Sequence, residues 1–341
     1  MKKRGVFQIL WLMVLFSCCV CIYLMDEGGE AETLTPTPAP AMAHGPVVVN
    51  VRYSLTPVPS AAPQPPSPSP TPIPTPFCIY WVSDTQYYSY KTPAVFQQMA
   101  RWMVDKKEEN NALFVVNTGD IVDNRKYERH WRNANSAIEL LNDKLDFLCI
   151  AGNHDVGADM AEYDTYNQWD FCDMQTQSAQ YRQGECWYMP FTAGGTDFLL
   201  LGIGWQVDTE YLDWCEEVLD NHDNCVCIIL VHNFLNDDGT LSTNGKRIEQ
   251  RLIAKHDSVR LVLCGHNDGS ARWQKEYGTR TVNAMMYNFQ DDKKYGLGYM
   301  RLLMFNPLSR NIAVTTYSPY LDDYNYYRDK DKDTFTLIDA F

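Results

Sequence analysis

The sequence lacks several signatures that would point elsewhere. It has no Gly-x-Ser-x-Gly elbow and no Gly-Lys-Ser/Thr P-loop ending, so nothing supports a serine hydrolase or a P-loop nucleotide triphosphatase. Outside the apolar N-terminal segment it has no CxxC pair, which leaves a zinc ribbon or thioredoxin-like site unsupported. No internal repeat is visible. Positive charge is scarce: 29 Lys and Arg stand against 43 Asp and Glu, a net charge of −14 over 341 residues. Such a chain repels polyanions, so general nucleic-acid binding is not expected. A small phosphorylated ligand stays open, because local cations can override the global field.

Charge is also missing from Gly5 to Met25, a run of 21 residues behind the basic Lys2, Lys3 and Arg4. A bilayer core needs roughly 20 residues, and the basic flank stays cytoplasmic. The length fits a signal anchor over residues 1–25 and an extracytoplasmic remainder, attached to a membrane by this segment. Cleavage as a signal peptide, giving a secreted chain, is an alternative without a good small-residue cleavage site. Lipidation is another, at Leu15-Phe16-Ser17-Cys18, where Phe16 is bulkier than a lipobox favours. Residues 26–76 hold 14 of the 18 prolines, too little apolar surface to offset ordering entropy. They read as an extended, disordered stalk.

The sequence has 11 cysteines. Cys78, Cys149, Cys227 and Cys264 fall in apolar strand-like runs and read as buried free thiols. Cys172 and Cys186 lie in a polar stretch and are the expected pair.

From Phe77 to Phe341 apolar runs alternate with helical patterns. Strands are expected at Phe77–Ser83, Leu113–Thr118, Phe147–Ala151, Phe198–Ile203, Val226–Val231 and Val259–Cys264. Helices are expected at Val95–Lys107, Trp131–Asn142, Thr209–Leu219 and Lys246–Ala254. The tail, at about 280–285, 299–305 and 311–317, reads as β only. The alternation implies an α/β domain, and the terminal strands suggest a second sheet.

Five of these strands end in metal-ligand side chains: Ser83-Asp84-Thr85-Gln86, Gly119-Asp120, Gly152-Asn153-His154-Asp155, His232-Asn233 and Gly265-His266-Asn267-Asp268. One Asp after a strand is usually a turn or cap residue. Five such endings in succession are not explained that way. In open α/β sheets the C-terminal strand edges converge on one crevice, so Asp84, Asp120, Asn153, His232 and His266 should meet in a mixed N/O metal site.

Asp84-x-Gln86, Gly119-Asp120-x-Val122-Asp123-Asn124, Gly152-Asn153-His154-Asp155, His232 and Gly265-His266 come in that order, with steps of 36, 33, 79 and 34 between the ligands. The series resembles the five-block signature of calcineurin-like metallophosphoesterases. The resemblance implies a four-layer α/β/β/α sandwich, two divalent metal ions, and phosphomonoester or phosphodiester hydrolysis by a metal-bridging hydroxide. Asp120 would bridge the metals, and Asn153, His232 and His266 would hold the second. Asp84 would hold the first. His154 would act at the leaving group, with Asp155 orienting it.

Two positions depart from the pattern. Gln86 stands where the first block commonly has His, as in a bacterial Asp-Thr-Gln subgroup, and Asp268 stands where the last block commonly has a second His. The first site would then be all oxygen, from Asp84, Gln86, Asp120 and Asp268, which favours Mn²⁺ or Mg²⁺ over Fe or Zn. Among loop residues, Asn124, Tyr87 and Trp205 are the substrate-binding candidates, while Tyr88, Trp273 and Tyr287 could stack on substrate or simply pack loops. Lys246-Arg247 and Arg272 read as a solvated face or a second-phosphate site. The rival reading is a catalytically weakened domain displayed on a stalk as a binding module. Oligomeric state is not readable.

Overall fold

Three parallel strands open the folded part: β1 (Phe77–Val82), β2 (Ala112–Asn117) and β3 (Asp146–Cys149). A computed structural model of the chain describes residues 74–157, 163–169, 179–290, 295–327 and 329–341. The chain divides into Met1–Pro68 and Ser69–Phe341, and every described residue falls in the second unit. The expected anchor at 1–25, nearly all of the 26–76 linker and Cys172 lie outside the described residues. Among those described, no helix is long and apolar enough to cross a membrane.

The fold is mixed α/β with two sheets. The second is built from the middle of the chain: β4 (Ala179–Tyr181), β5 (Cys186–Ala193), β6 (Thr196–Ile203), β7 (Val226–Val231), β8 (Val259–Cys264), β9 (Gly269–Tyr277) and β10 (Arg280–Asn288). Their order is β4-β5-β6-β7-β8-β10-β9, with β6, β7, β8 and β10 parallel. The tail strands β11 (Met300–Asn306), β12 (Asn311–Ser318), β13 (Asp323–Tyr324) and β14 (Thr334–Leu337) return to the first sheet. The expectation that the tail forms a second sheet is therefore corrected. Of the expected tail strands only β10 joins the second sheet. β11 instead runs antiparallel beside β1, Phe77 opposite Phe305.

Alternation along β1 shows why its run is wholly apolar. Cys78, Tyr80 and Val82 pack toward helices α2 (Pro93–Asp105) and α4 (Glu128–Ile138). Phe77, Ile79 and Trp81 pack toward the second sheet, against residues such as Phe198, Leu230 and Leu263. A strand buried on both faces needs apolar residues at every position. Pro93 begins α2, where its missing N–H costs nothing, and Val95, Phe96, Met99, Ala100 and Met103 form its buried face. Beyond the second sheet, Leu199, Leu201, Ile229 and Val231 pack on α7 (Thr209–Asp220) and on Ile248, Leu252 and Ile253. Asp208 caps α7 by accepting from the Tyr211 N–H at 2.8 Å.

Short helices fill the remaining links: α1 (Gln86–Tyr90), α3 (Lys107–Asn110), α5 (Asn153–Val156), α6 (Tyr163–Tyr166) and α8 (Thr243–Ile248). Cys78, Cys149, Cys227 and Cys264 are buried free thiols, and Cys186 is likewise buried and free. Burial pushes the Cys78 thiol up to about 12, which keeps it unreactive.

Candidate metal centre

The ligand candidates follow parallel strands, so they leave the sheets at one edge. Asp84 follows β1, Asp120 follows β2, Asn153 follows β3, His232 ends the β7 run and His266 the β8 run. Ligand atoms of Asp120, His232 and His266 lie within 4.8 Å of one another. His232 Nε2 faces Asp120 Oδ2 at 3.2 Å. Gln86 Nε2 donates to the same oxygen at 3.3 Å. The two imidazole centroids are 5.0 Å apart.

The backbone is strained where it delivers these groups. Asp84, Asp120 and His266 have φ of 51°, 53° and 71°, the left-handed region that costs a non-glycine residue roughly 1–2 kcal/mol. The adjoining glycines leave room for the carboxylates. A Cβ at Gly152 would stand 2.2 Å from Asp120 Oδ1, and one at Gly265 would stand 2.1 Å from Asp84 Oδ2.

A second ring of contacts fixes each ligand. The His232 Nδ1–H donates to the Thr118 carbonyl at 2.7 Å, which sets the tautomer and turns Nε2 toward Asp120. Asp120 Oδ1 accepts from the His154 backbone N–H at 2.9 Å. Asp84 accepts from the Ser83 hydroxyl at 2.6 Å and from the His266 N–H at 3.1 and 3.2 Å. His154 Nδ1–H donates to the Asp123 carbonyl at 2.6 Å. From sequence, Ser83 and Asp123 stood only as members of the ligand blocks, with no role of their own, and Thr118 only as the end of an expected strand. The only signal for them is that they are polar groups in or beside the ligand blocks.

Electrostatically the site calls for positive charge. Burial would lower the His232 imidazole, but Asp120 and Asp84 raise it to about 9. Burial would raise Asp120, but His232 and His154 hold it below the ordinary carboxylate value. His266 is pushed down to about 4 by burial and then by His232, so its ring is neutral with a lone pair to offer. Burial, with Asp120 adding, raises Asp84 to about 7.

The residues fit a divalent cation. Gln86 Oε1 and Asn153 Oδ1 are buried without a hydrogen-bond partner, and His232 Nε2 lacks hydrogen-bond geometry despite facing a carboxylate. Buried polar atoms are rarely left so. Carboxylate, amide oxygen and imidazole together make a borderline-to-hard donor set.

The other candidates fall in varied places. Asp155 is fully buried, but its carboxylate accepts the N–H groups of Ile121, Val122 and Gly152 at 2.8, 3.0 and 2.8 Å. It ties the Asp120 loop to the Asn153 turn. The group that orients His154 is the Asp123 carbonyl. Asp268 is exposed and stands outside the Asp120–His232–His266 group. Asn124 Oδ1 accepts from the Lys126 N–H at 3.1 Å, a local turn. Trp205 walls the site, 5.7 Å from the His232 ring and 5.2 Å from His266. Tyr87 is half-buried beside Tyr295. Tyr88 and Tyr287 are core residues, and Trp273 packs on Phe234. Arg247 donates to the Val207 carbonyl, and Arg272 lies over the Phe335 ring.

Comparison with known proteins agrees with this geometry. Residues 78–267 match the family model for calcineurin-like phosphoesterases. The uncharacterized protein YvnB of Bacillus subtilis (strain 168) is 31% identical over 273 residues, covering 76% of this chain. The chain spans about a fifth of that relative's length (21%). A purple acid phosphatase, PPD1 from yellow lupin (Lupinus luteus) seeds, is similar in fold, with a TM-score of 0.54 at 13% identity. That alignment covers 77% of this chain and 54% of the lupin chain.

Proposed function

Because the chain belongs to the calcineurin-like phosphoesterase family, we propose that it is a metal-dependent hydrolase of phosphomonoesters or phosphodiesters. The observation that carries this reading is the convergence of Asp120, His232 and His266 within 4.8 Å, with Asn153 Oδ1 orphaned at the start of α5. A bound divalent cation there supplies Lewis-acid neutralisation of phosphoryl charge and an activated water.

The chain's own residues do the rest. Asp120, Asn153, His232 and His266 would hold the cation, with the Thr118 carbonyl fixing the His232 tautomer. Asp84 and Gln86 would hold the first metal of a dinuclear centre. Their oxygen character favours Mn²⁺ or Mg²⁺ there. Asp268, exposed two residues past His266, is the remaining candidate for that first site. His154, oriented through Nδ1 by Asp123, presents Nε2 toward substrate. Burial would lower its ring, but Asp120 and the Asp123 carbonyl raise it above the ordinary imidazole value, so Nε2 can carry a proton for the leaving oxygen. Trp205 shields one side from water. The uncharged run Gly5–Met25 behind three basic residues supports membrane attachment and an extracytoplasmic domain, and helices packed on the outer face of each sheet support a four-layer α/β/β/α sandwich.

The test strips the full chain of metal and returns Mn²⁺, Mg²⁺, Ca²⁺ or Zn²⁺, with p-nitrophenyl phosphate and its bis-ester as substrates. Metal-dependent turnover lost in Asp120→Ala is the expected result. No turnover with any ion, and no ion bound, would replace this reading with the stalk-mounted binding module. Protease shaving of intact cells that spares the domain would overturn the extracytoplasmic placement.

A further inference from the structure

Residues 125–132 read Arg-Lys-Tyr-Glu-Arg-His-Trp-Arg, four basic residues and one acid in a chain of net charge −14. Arg132 is occupied by Glu128 at 2.8 Å. Arg129 and Lys91 have no acidic partner among the described residues. Lys91 Nζ lies 3.9 Å over the Tyr90 ring. Tyr90 and Tyr127 each approach the His130 ring, at 5.2 and 5.4 Å, and both are exposed, by 36% and 59%. With Lys126, Glu128 and Arg129 these three rings line a cavity of about 530 Å³, inside the usual range for small-molecule sites.

Two elements of the metal centre border this cavity. Helix α1 begins at Gln86, beside Asp120, and ends at Tyr90, a rise of about 6 Å. On the other side His130 Nδ1 accepts from the Asn124 N–H at 3.2 Å, and the preceding Asp123 carbonyl orients His154. Lys91 covers one face of Tyr90, and His130 is buried beneath both tyrosines; the exposed Tyr127 ring beside Arg129 recognises a planar ring by stacking and an anion by charge. An aliphatic leaving group gains neither.

The geometry points to a second subsite, formed by Tyr127, Arg129 and the rim of Tyr90 over the buried His130, that takes the planar base and second anionic group of a small nucleotide whose scissile phosphate lies at the metal centre. The placement relative to chemistry rests on the phosphoesterase reading; the ring-and-anion cavity does not. The acidic remainder of the chain limits this to small nucleotides, since long polyanions are repelled.

The test compares adenosine 3′,5′-bisphosphate with glycerol 2-phosphate on the full chain. With Mn²⁺, Arg129→Ala and Tyr127→Ala are expected to lower kcat/KM for the nucleotide about ten-fold and to leave glycerol 2-phosphate unchanged. Equilibrium binding of the nucleotide to metal-free protein should weaken by a similar factor. Equal loss for both substrates, or no loss for either, overturns the subsite. Tight binding of a polyol-phosphate oligomer with none of the nucleotide also overturns it. Absent hydrolysis with nucleotide binding that the variants still weaken sinks the phosphoesterase reading alone.

Discussion

Gly152→Ala is a one-methyl perturbation whose consequence follows from distances. The new Cβ would lie 2.2 Å from Asp120 Oδ1 and 2.5 Å from the Asp120 backbone nitrogen. Ordinary contact begins near 3.4 Å, so the carboxylate oxygen must retreat by about 1.2 Å. Metal–ligand distances tolerate only about 0.2 Å. Overpacking of this kind costs about 1–3 kcal/mol of stability, and displacing a ligand's support typically costs 10–100-fold in metal affinity. Gly278→Ala is the control for a destabilising change away from the site: its φ of 62° strains the backbone, where Gly152 at φ −102° has no such strain, and nothing lies within 4 Å of the added methyl. Thermal unfolding with chelator and with excess Mn²⁺ separates the two effects, because metal stabilises by RT ln(1 + [L]/Kd). Both variants should unfold earlier in chelator, and only Gly152→Ala should lose most of the Mn²⁺-induced rise. An undiminished rise in Gly152→Ala would refute the assignment of Asp120 as a ligand.

His154→Ala should lower kcat about 10²–10⁴-fold while Mn²⁺ affinity stays unchanged by titration, since its ring is held by Asp123 rather than in the ligand group; a parallel loss of affinity would make it a ligand. Glu216 accepts from Arg251 Nε and Nη2 at 2.8 Å each and from Lys255 at 2.8 Å, which holds its carboxyl at about 2. Its folded value lies below the ordinary one, so the network stabilises above about pH 4.3 and fades as pH falls toward 2. Partial exposure limits this to about 1 kcal/mol; Glu216→Gln should lower the urea midpoint at pH 7 and not near pH 2. Phe77 stacks on Phe305 at 4.8 Å and meets Phe198 edge-on at 5.6 Å. Phe77→Ala should cost about 3–5 kcal/mol by urea denaturation, and a cost below 1 kcal/mol would contradict the packing between the sheets.

The inner strands were legible because burial on both faces demands continuous apolar sequence. β7 and β8 begin and end where their runs do, at Val226–Val231 and Val259–Cys264. Strand β5 was not legible. It carries Pro190 beyond the three residues that pair with β4, where a missing N–H faces an open edge. Edge strand β9 is mostly polar and partly exposed, so it lacks the apolar signal altogether. The partner of the tail strands was hidden for another reason: which sheet β11 joins depends on a contact with β1 more than 200 residues away. Within the site, residue type and strand position foretold the meeting of Asp120, His232 and His266. Sequence could not show that the Asp155 carboxylate spends its lone pairs on three backbone N–H groups. Nor could it show that Asp268, two residues past His266, stays exposed.

The most direct measurement follows bound Mn²⁺ and p-nitrophenyl phosphate hydrolysis in one titration of metal-stripped full chain, with His232→Ala and His266→Ala in parallel. Turnover should rise in proportion to occupancy in the wild type, and both variants should bind Mn²⁺ at least tenfold more weakly and lose turnover with it. Turnover that is independent of occupancy, or full Mn²⁺ affinity in either variant, would contradict a catalytic cation held by Asp120, His232 and His266.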